Sequence, residues 1–411
     1  MSIVVRTVTE HELPAWVDVL GTAFLSRVDG AAIAEDVRTF WDLSRAWGAF
    51  DGSAMVGTTR SWATDLTIPG NIQLPASAVA AVAVRATHRR NGILRQIMAA
   101  EHAAAVERGE ALALLYSAEY PIYGRFGYGP GCQMATWTIE SGRTEVRQSG
   151  AGSVEIVRPT PAVRDDMIAV HAAARLLQVG DIARRDDMWD RNLGLRPSLW
   201  DEGWKGFVAL HRDDAGAVDG FVRYHTESKW ERMQPEGILT VDDFCSLGDD
   251  AYDQLWAFLI NTDMVATIKA PQRRVAERFP WLLTNARAAS VTELNDSMWV
   301  KLLDLPRALA ARTYERVASL VIETVEDVGT ERETRTRVAL DAGPDGATCV
   351  PTKRSPDLTI HAGALGAAYL GGTSLIHASL AEGADEGRPG VLAAADALFR
   401  TATPPWCSIF F

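Results

Sequence analysis

The chain is poor in the residues that would narrow its chemistry at once. It has four cysteines in 411 residues, Cys132, Cys245, Cys349 and Cys407, and no two of them have the Cys-x-x-Cys spacing of a zinc or redox site. Free thiols in a reducing cytoplasm are therefore expected. The eight histidines form no i, i+4 ligand pair, His88 and His102 around the helix that follows residue 92 are expected to face solvent, and no metal is expected. Positive charge is also short: 41 Lys and Arg against 53 Asp and Glu give a net charge of -12, which argues against a nucleic-acid partner. Nowhere do about 18 apolar residues run uninterrupted, and Met1 to Val8 lacks a signal peptide's apolar stretch. The expectation is a soluble, cytoplasmic protein without a membrane partner. Hydrophobic residues nevertheless make up 47% of the chain and charged ones 23%, an ordinary globular composition that excludes disorder as the main state. At roughly 100 to 200 residues per domain, the length suits two or three domains, and three are expected.

Patterning gives an α+β chain with mixed sheets. Residues 3 to 8 alternate as a strand, and Thr9-Glu10-His11-Glu12 has capping-box spacing before Leu13, Trp16, Val17, Leu20 and Phe24 at helical intervals. Ala46 to Phe50, Asp51-Gly52 and Met55 to Trp62 read as a hairpin. Val79 to Val84 reads as a buried strand, followed by a helix carrying Ile93, Ile97, Ala100 and Ala104 on one face and by a strand from Ala111 to Tyr116. A second cycle of the same order begins near Ser153, with a helix through Met167, Val170 and Ala174, strands at 207 to 211, 220 to 225 and 237 to 241, and a helix over Tyr252 to Leu259. This order implies an internal duplication of fold. From about residue 297 the pattern changes to a short helix at Ala308 to Arg312, three strands (318 to 324, 334 to 340, 358 to 361) and a closing helix at Leu392 to Phe399. The last residues, Trp406-Cys407-Ser408-Ile409-Phe410-Phe411, are too apolar for a frayed tail and read as inserted somewhere.

One segment carries a chemical signature. Val82-Ala83-Val84 enters a helix through His88-Arg89-Arg90-Asn91-Gly92-Ile93-Leu94. A helix's first-turn N–H groups, a close-approach glycine and flanking arginines make a phosphate site. The same residues also suit a helix that merely starts with solvated arginines. The second copy has no Arg-Arg-x-Gly segment at the matching place, so the chemistry is expected in the first copy.

The turn resembles motif A of the GNAT superfamily of acetyl-CoA-dependent N-acetyltransferases, with Leu94 standing where that motif usually has Gly or Ala. Taken with Ile122-Tyr123-Gly124-Arg125-Phe126-Gly127-Tyr128-Gly129, Ile156 to Thr160, Trp299-Val300, Leu305-Pro306-x-Ala308-Leu309-x-Ala311-Arg312 and Leu365 to Gly371, it is similar to the Eis (enhanced intracellular survival) family over nearly the whole chain. That resemblance implies two tandem GNAT-like mixed-sheet domains followed by a sterol-carrier-protein-like α+β domain. The boundaries would be a catalytic domain at 1–150, a second GNAT-like domain without a cofactor site at 151–296, and a third domain at 297–411 whose C-terminus reaches the active site. It also implies a hexamer.

By the same resemblance, acetyl-CoA would lie over Val82, Ala83, Val84, Arg89, Arg90, Gly92, Ile93 and Leu94, and Tyr123 would be the general acid. The Phe411 α-carboxylate would be general base or amine-orienting group, because an unperturbed α-carboxyl with a pKa of about 3.3 to 3.7 is a feeble base. On its own chemistry Tyr123 also suits a ring packed beside Phe126 and Tyr128, and the tail could instead complete the third domain's core. Ser117, at the end of its strand, is a low-ranked partner for pantetheine. Trp16, Phe24, Trp41 and Trp62 suit either an aromatic cleft or the core. Aminoglycoside-acetylating Eis members present acids where this chain has Ser26 and Arg27 after Phe24, and Phe410 before the terminal residue, so a more apolar amine, or one beside an aromatic group, is expected, with Phe24, Ser26, Trp41 and Phe410 as candidate substrate contacts. The rival readings are an idle acyl-CoA-binding sensor and a lipid carrier.

Overall fold

The computed structural model describes residues 3–147, 150–197, 203–326 and 333–411. In chain order, the first run is β1 (Ile3–Thr7), α1 (Leu13–Ala23), α2 (Gly30–Val37), β2 (Ala46–Asp51), β3 (Ala54–Ile68), β4 (Ile72–Val84), α3 (Ile93–Glu107), β5 (Leu112–Tyr116) and β6 (Gly129–Pro130). The second is β7 (Gln133–Glu140), β8 (Ser153–Val157), α4 (Pro161–Arg175), α5 (Asp186–Asn192), β9 (Phe207–Arg212), β10 (Val218–Glu227), a two-residue-strand hairpin of β11 (Trp230–Glu231) and β12 (Gln234–Pro235), β13 (Gly237–Ser246), α6 (Asp249–Ile260), β14 (Val265–Arg273) and β15 (Ala289–Asp296). The third is β16 (Met298–Leu302), α7 (Leu305–Ala311), β17 (Ala318–Glu326), β18 (Thr334–Gly343), β19 (Gly346–Pro351), β20 (Leu358–His361), α8 (Ala362–Ala368), α9 (Leu375–Ala378), β21 (Ala384–Glu386) and α10 (Val391–Phe399).

These elements form two compact units. One holds the chain up to Cys132, Ser297–Pro405 and Phe410–Phe411; the other holds Gln133–Asp296 and Trp406–Ile409. In the first unit, a seven-stranded sheet has the order β1-β2-β3-β4-β5-β16-β6, and a five-stranded sheet has the order β19-β18-β17-β20-β21. The second unit's seven-stranded sheet runs β15-β7-β14-β13-β10-β9-β8. Only β4–β5 in the first large sheet and β13–β14 in the second are parallel, each joined through one crossover helix, α3 or α6. The two large sheets therefore repeat one topology. The division expected at residue 150 differs from the sheet membership: β7, at 133–140, pairs with β14 and β15, while β16 pairs with β5 and β6. Each copy's sheet is thus completed by a strand that alternation in the sequence cannot assign.

Helices α2, α5, α8 and α9 and the first half of β4 were not read from the sequence. Strand β4 begins at Ile72 rather than Val79, because Gly70 (φ 95°) and Asn71 (φ 58°) make a tight reversal that lets it run back along β3 from Ile68↔Ile72 to Gly57↔Val84. Helix α2 begins at Gly30, capped by Asp29 accepting from the N–H of Ala31 and Ala32.

Within the first unit, α8 lies directly against β6 and β16, and the contact needs glycine on both faces. A Cβ at Gly129 would sit 1.9 Å from the Gly363 carbonyl oxygen, and one at Gly366 would sit 2.3 Å from that of Val300. Both obstacles are backbone, which cannot step aside as a flexible side chain does. Gly129→Ala is therefore expected to destabilise the first unit by at least about 1 to 3 kcal/mol, the usual range for overpacking. Urea unfolding should show a lower midpoint, and an unchanged midpoint would refute this close-approach account.

Candidate functional site

The site begins where two parallel strands part. Strands β4 and β5 pair only at Ala76↔Leu112, Ser77↔Ala113 and Ala78↔Leu114, yet β4 continues to Val84 and β5 to Tyr116. Past Ala78 the β3–β4 register shifts, and Ala81 takes a left-handed backbone (φ 55°), a bulge that bends β4. Thr58 and Thr59 brace it by donating to the carbonyls of Ala81 (3.0 Å) and Ala80 (3.3 Å). The edge of β4 over Val82–Val84 that would face β5 thus has no strand partner among the described residues.

Beyond Val84 the chain turns sharply into α3. Arg90 (φ 65°) and the N-cap Gly92 (φ 72°) are both left-handed, and the Asn91 side chain ties the turn by donating to the carbonyls of His88 and Arg89. An arginine in that conformation costs roughly 1 to 2 kcal/mol, a strain kept where a loop must curl around something. The first-turn N–H groups of α3 have no intrahelical acceptor. Arg89 and Arg90 are exposed at the mouth. The helix itself is held by Glu101, fully buried, which accepts from the Trp47 indole (2.7 Å), Ser77 (2.8 Å) and Arg108 (3.0 Å). These residues fit a pyrophosphate with its pantetheine led into the gap between the strands. A buried Ser117 hydroxyl just past β5 has no partner among the described residues, a donor that a bound ligand would satisfy.

Tyr123 stands beside this gap. Its ring is 6% exposed and packs in a cluster with Val79, Met98, Leu115 and Phe126, against which the partly buried Val82 and Leu94 also lie. The end of β4, the start of α3 and the tyrosine thus share one apolar wall. Among the described residues no group hydrogen-bonds the Tyr123 hydroxyl. Burial, and then the charge of Glu119, push its pKa up to about 12. The turn after it is shaped by Gly127 (φ 77°) and by Lys301, which donates to the Phe126 carbonyl at 2.7 Å while ion-paired to Glu326 at 2.5 Å. Tyr128 shares a 2.8 Å hydrogen bond with His102, whose imidazole burial holds well below its usual range. His102 had been expected to face solvent.

The C-terminal residues supply the far wall. The Phe411 ring packs edge-on against Trp62 (4.9 Å) and Tyr116 (4.9 Å), and Phe410 lies 4.6 Å from Tyr116 while remaining 56% exposed. The Arg60 guanidinium lies over Trp41 at 4.2 Å and over Trp62 at 5.4 Å. Of the four tryptophan and phenylalanine residues left open by the sequence, Trp16 is core, fully buried with its indole donating to the Trp47 carbonyl at 2.9 Å. Trp41 and Trp62 flank Arg60, whereas Phe24 and Ser26 are exposed at the end of α1. Arg60 and Tyr116 were missed by sequence reasoning. Tyr116 closes a recognised strand, but nothing in the sequence brings it to the terminus.

Models described as acetyltransferase (GNAT) domains match residues 4–131 and 180–302, and one described as a sterol carrier protein domain matches 305–408. An uncharacterized N-acetyltransferase of Streptomyces griseus is 38% identical over 420 residues, covering 100% of both chains. N-acetyltransferase Eis of Mycobacterium tuberculosis is 32% identical over 358 residues, 84% of this chain and 80% of that one. The chain belongs to the Eis family of GNAT N-acetyltransferases. Eis1 from Mycobacterium abscessus superposes with a TM-score of 0.84 at 28% identity over 99% of this chain and 100% of that one. A GCN5-related N-acetyltransferase from Anabaena variabilis shares the fold at 17% identity, with a TM-score of 0.81. Like its Eis relatives, this is an N-acetyltransferase built as two GNAT domains and a sterol-carrier-like domain. No described helix is long and apolar enough to cross a membrane, and no described His, Cys, Asp and Glu cluster could hold a metal ion.

A pKa pushed to about 12 keeps the Tyr123 phenol protonated through neutral and moderately alkaline pH. The rate of acetyl transfer is therefore expected to show no alkaline loss due to Tyr123 between about pH 7 and 10. A falling limb near pH 10 that disappears in Tyr123→Phe would contradict the assignment of that pKa.

Proposed function

We propose that this Eis-family member transfers the acetyl group of acetyl-CoA directly to a primary amine, using Tyr123 and the Phe411 carboxylate. The observation that carries the reading is the convergence, within one unit, of the open β4 edge, the Tyr123 ring and the Phe410–Phe411 terminus around the parted strands. Bound acetyl-CoA supplies an acyl thioester whose carbonyl carbon accepts the amine. Arg89, Arg90 and the α3 first turn hold the pyrophosphate end, and the Gly92 backbone permits close approach. Main-chain N–H groups of Val82–Val84 offer the carbonyl oxygen a fixed donor as negative charge grows on it, an effect of about 3 to 4 kcal/mol in comparable sites.

Tyr123 then provides the proton that the departing sulfur needs. With its pKa near 12 against about 8.5 for a free thiol, complete transfer to the departed thiolate would be uphill by about 5 kcal/mol, a gap that desolvation of the thiolate in the same apolar site narrows. The phenol therefore acts as a hydrogen-bond donor whose proton moves as the sulfur becomes basic. The Phe411 carboxylate accepts the amine's N–H groups, orienting the lone pair and taking up the proton released on attack.

The acceptor region is aromatic and carries a cation. Trp41, Trp62, Tyr116 and Phe410 offer flat apolar faces, and Arg60 between two of them repels a polycation. An arylalkylamine with one charge fits this wall better than an aminoglycoside. The lipid-carrier reading meets Arg312 in the third region: 1% exposed, it donates to the carbonyls of Phe399 (2.9 Å) and Tyr369, with Tyr314 and Phe399 rings around it. A buried cation is a poor lining for an apolar tunnel.

Free coenzyme A release against an amine panel tests the proposal. Tyr123→Phe should lower kcat by about 100-fold or more, and deletion of Phe411 should lower kcat/KM for the amine, both with acetyl-CoA affinity retained. Arylalkylamines should exceed aminoglycosides in kcat/KM. Acetyl-CoA binding by calorimetry with no turnover of any amine would instead favour the sensor.

A further inference from the structure

The second unit repeats the strand opening of the first. Strand β13 pairs with the parallel β14 only as far as Thr240↔Lys269 and then continues to Ser246, as β4 outruns β5. The crossover helix that follows differs. Where α3 is entered through Arg89-Arg90, α6 begins with Asp249 and Asp250 in its first turn. Two acids at a helix N-terminus oppose a phosphate, so this gap is not built for a nucleotide cofactor.

Another part of the chain fills it. Segment Trp406–Ile409 belongs to the second unit and is tied there by backbone and side chain alike. The Trp406 N–H donates to the Val179 carbonyl and its indole N–H to the Gln272 carbonyl, both at 2.9 Å, and the Arg274 guanidinium lies 4.3 Å over its ring. Asp181, 3% exposed, accepts from the Ser408 N–H (3.1 Å), the Ser408 hydroxyl (3.0 Å) and the Ile182 N–H (3.0 Å), with the Cys407 thiol at 3.8 Å. The His171 ring meets the same hydroxyl at 3.2 Å. Between this segment and Asp243–Ser246 at the end of β13 there remains a cavity of about 30 Å³, room for about one water.

We propose that the parted strands of the second GNAT domain serve as a socket for the C-terminal segment, and that Asp181 is the positioning residue whose grip on Ser408 sets the reach of the Phe411 carboxylate. This rests on the role given above to Phe411. Phe411 lies three Cα steps beyond Ser408, at most about 11 Å of chain. With Ser408 held, the carboxylate samples a small volume. Released, the tail beyond Trp406 is held only by the ring contacts of Phe410 and Phe411, and the effective concentration of its carboxylate at the site falls. The second domain's retention of a GNAT fold without a phosphate turn then has a catalytic purpose.

The test compares Asp181→Ala, Asp181→Asn and Ser408→Pro with wild type and with the Phe411 deletion, all as full-length protein. Asp181→Ala is expected to lower kcat about 10- to 100-fold, as displaced catalytic groups do, with the KM for acetyl-CoA unchanged, and to add nothing when Phe411 is already deleted. Asp181→Asn, which keeps an oxygen acceptor for the Ser408 N–H, should recover most of that rate, a rescue that a general loss of packing would not allow. Carboxypeptidase release of Phe411 and Phe410, followed by mass spectrometry, should be faster in Asp181→Ala and Ser408→Pro than in wild type. If Asp181→Ala fails to fold by thermal melting, Ser408→Pro decides, because it removes the Ser408 N–H and hydroxyl that Asp181 accepts while leaving every other residue of the second unit unchanged. Wild-type kcat and wild-type tail release in a folded Asp181→Ala or Ser408→Pro protein would overturn the socket. Full turnover by the Phe411 deletion would overturn the role of Phe411 and the catalytic consequence drawn here, while the release rates would still judge the anchor by themselves.

Discussion

The structure depends on a parallel strand pair that stops pairing. Between Ala78 and Val84, β4 gives up its hydrogen bonds to β5, and the bulge at Ala81 turns that loss into a fixed opening. Unpaired backbone donors are costly in a protein interior, typically a few kcal/mol when water is excluded. A sheet keeps such an edge where a ligand or another segment of the chain completes it. The left-handed Arg90 and Gly92 and the lone hydroxyl of Ser117 adjoin the same opening, so strain, unsatisfied polarity and charge coincide. That coincidence separates the opening from the many ordinary ends of strands elsewhere in the chain.

What surrounds the opening is rigid. Buried Glu101 holds α3 to the sheet, Lys301 and Glu326 set the turn after Tyr123, and the glycine contacts of α8 seat the third region against β6 and β16. The proposed acid and the cofactor segment share the wall formed by Val79, Leu115, Val82 and Leu94. Geometry of this kind favours chemistry that asks only for placement: a donor at an oxygen, a proton for a sulfur, an acceptor for an amine. In the function proposed, specificity is left to the aromatic wall and Arg60.

Much of this was legible in the sequence because it is local. The Arg-Arg-x-Gly turn, the Tyr-Gly-Arg-Phe run and the apolar terminus are each contiguous, and six of the ten described helices and most of the longer strands fall where hydrophobic period and turn residues place them. What was not legible is long-range. Strands β7 and β16 alternate like any others, and nothing in their residues says that each completes the sheet of the other copy. Arg60 and Tyr116 acquire meaning only beside Trp62 and Phe411, hundreds of positions apart in the latter case. His102 was misjudged for the same reason: a histidine on a helix face is exposed until a distant tyrosine covers it. Asp181 carried no sequence signal, since an acid in a loop is ordinarily solvated.

The most direct measurement is a crystal structure of the protein with a thioether analogue of acetyl-CoA, in which the sulfur is retained and the acyl group cannot leave. The account predicts the pyrophosphate on the first turn of α3, the carbonyl oxygen on the β4 edge at Val82–Val84, and the Tyr123 hydroxyl within hydrogen-bonding distance of the sulfur. An analogue bound outside the β4–β5 opening, or a Tyr123 hydroxyl out of reach of the sulfur, would contradict it.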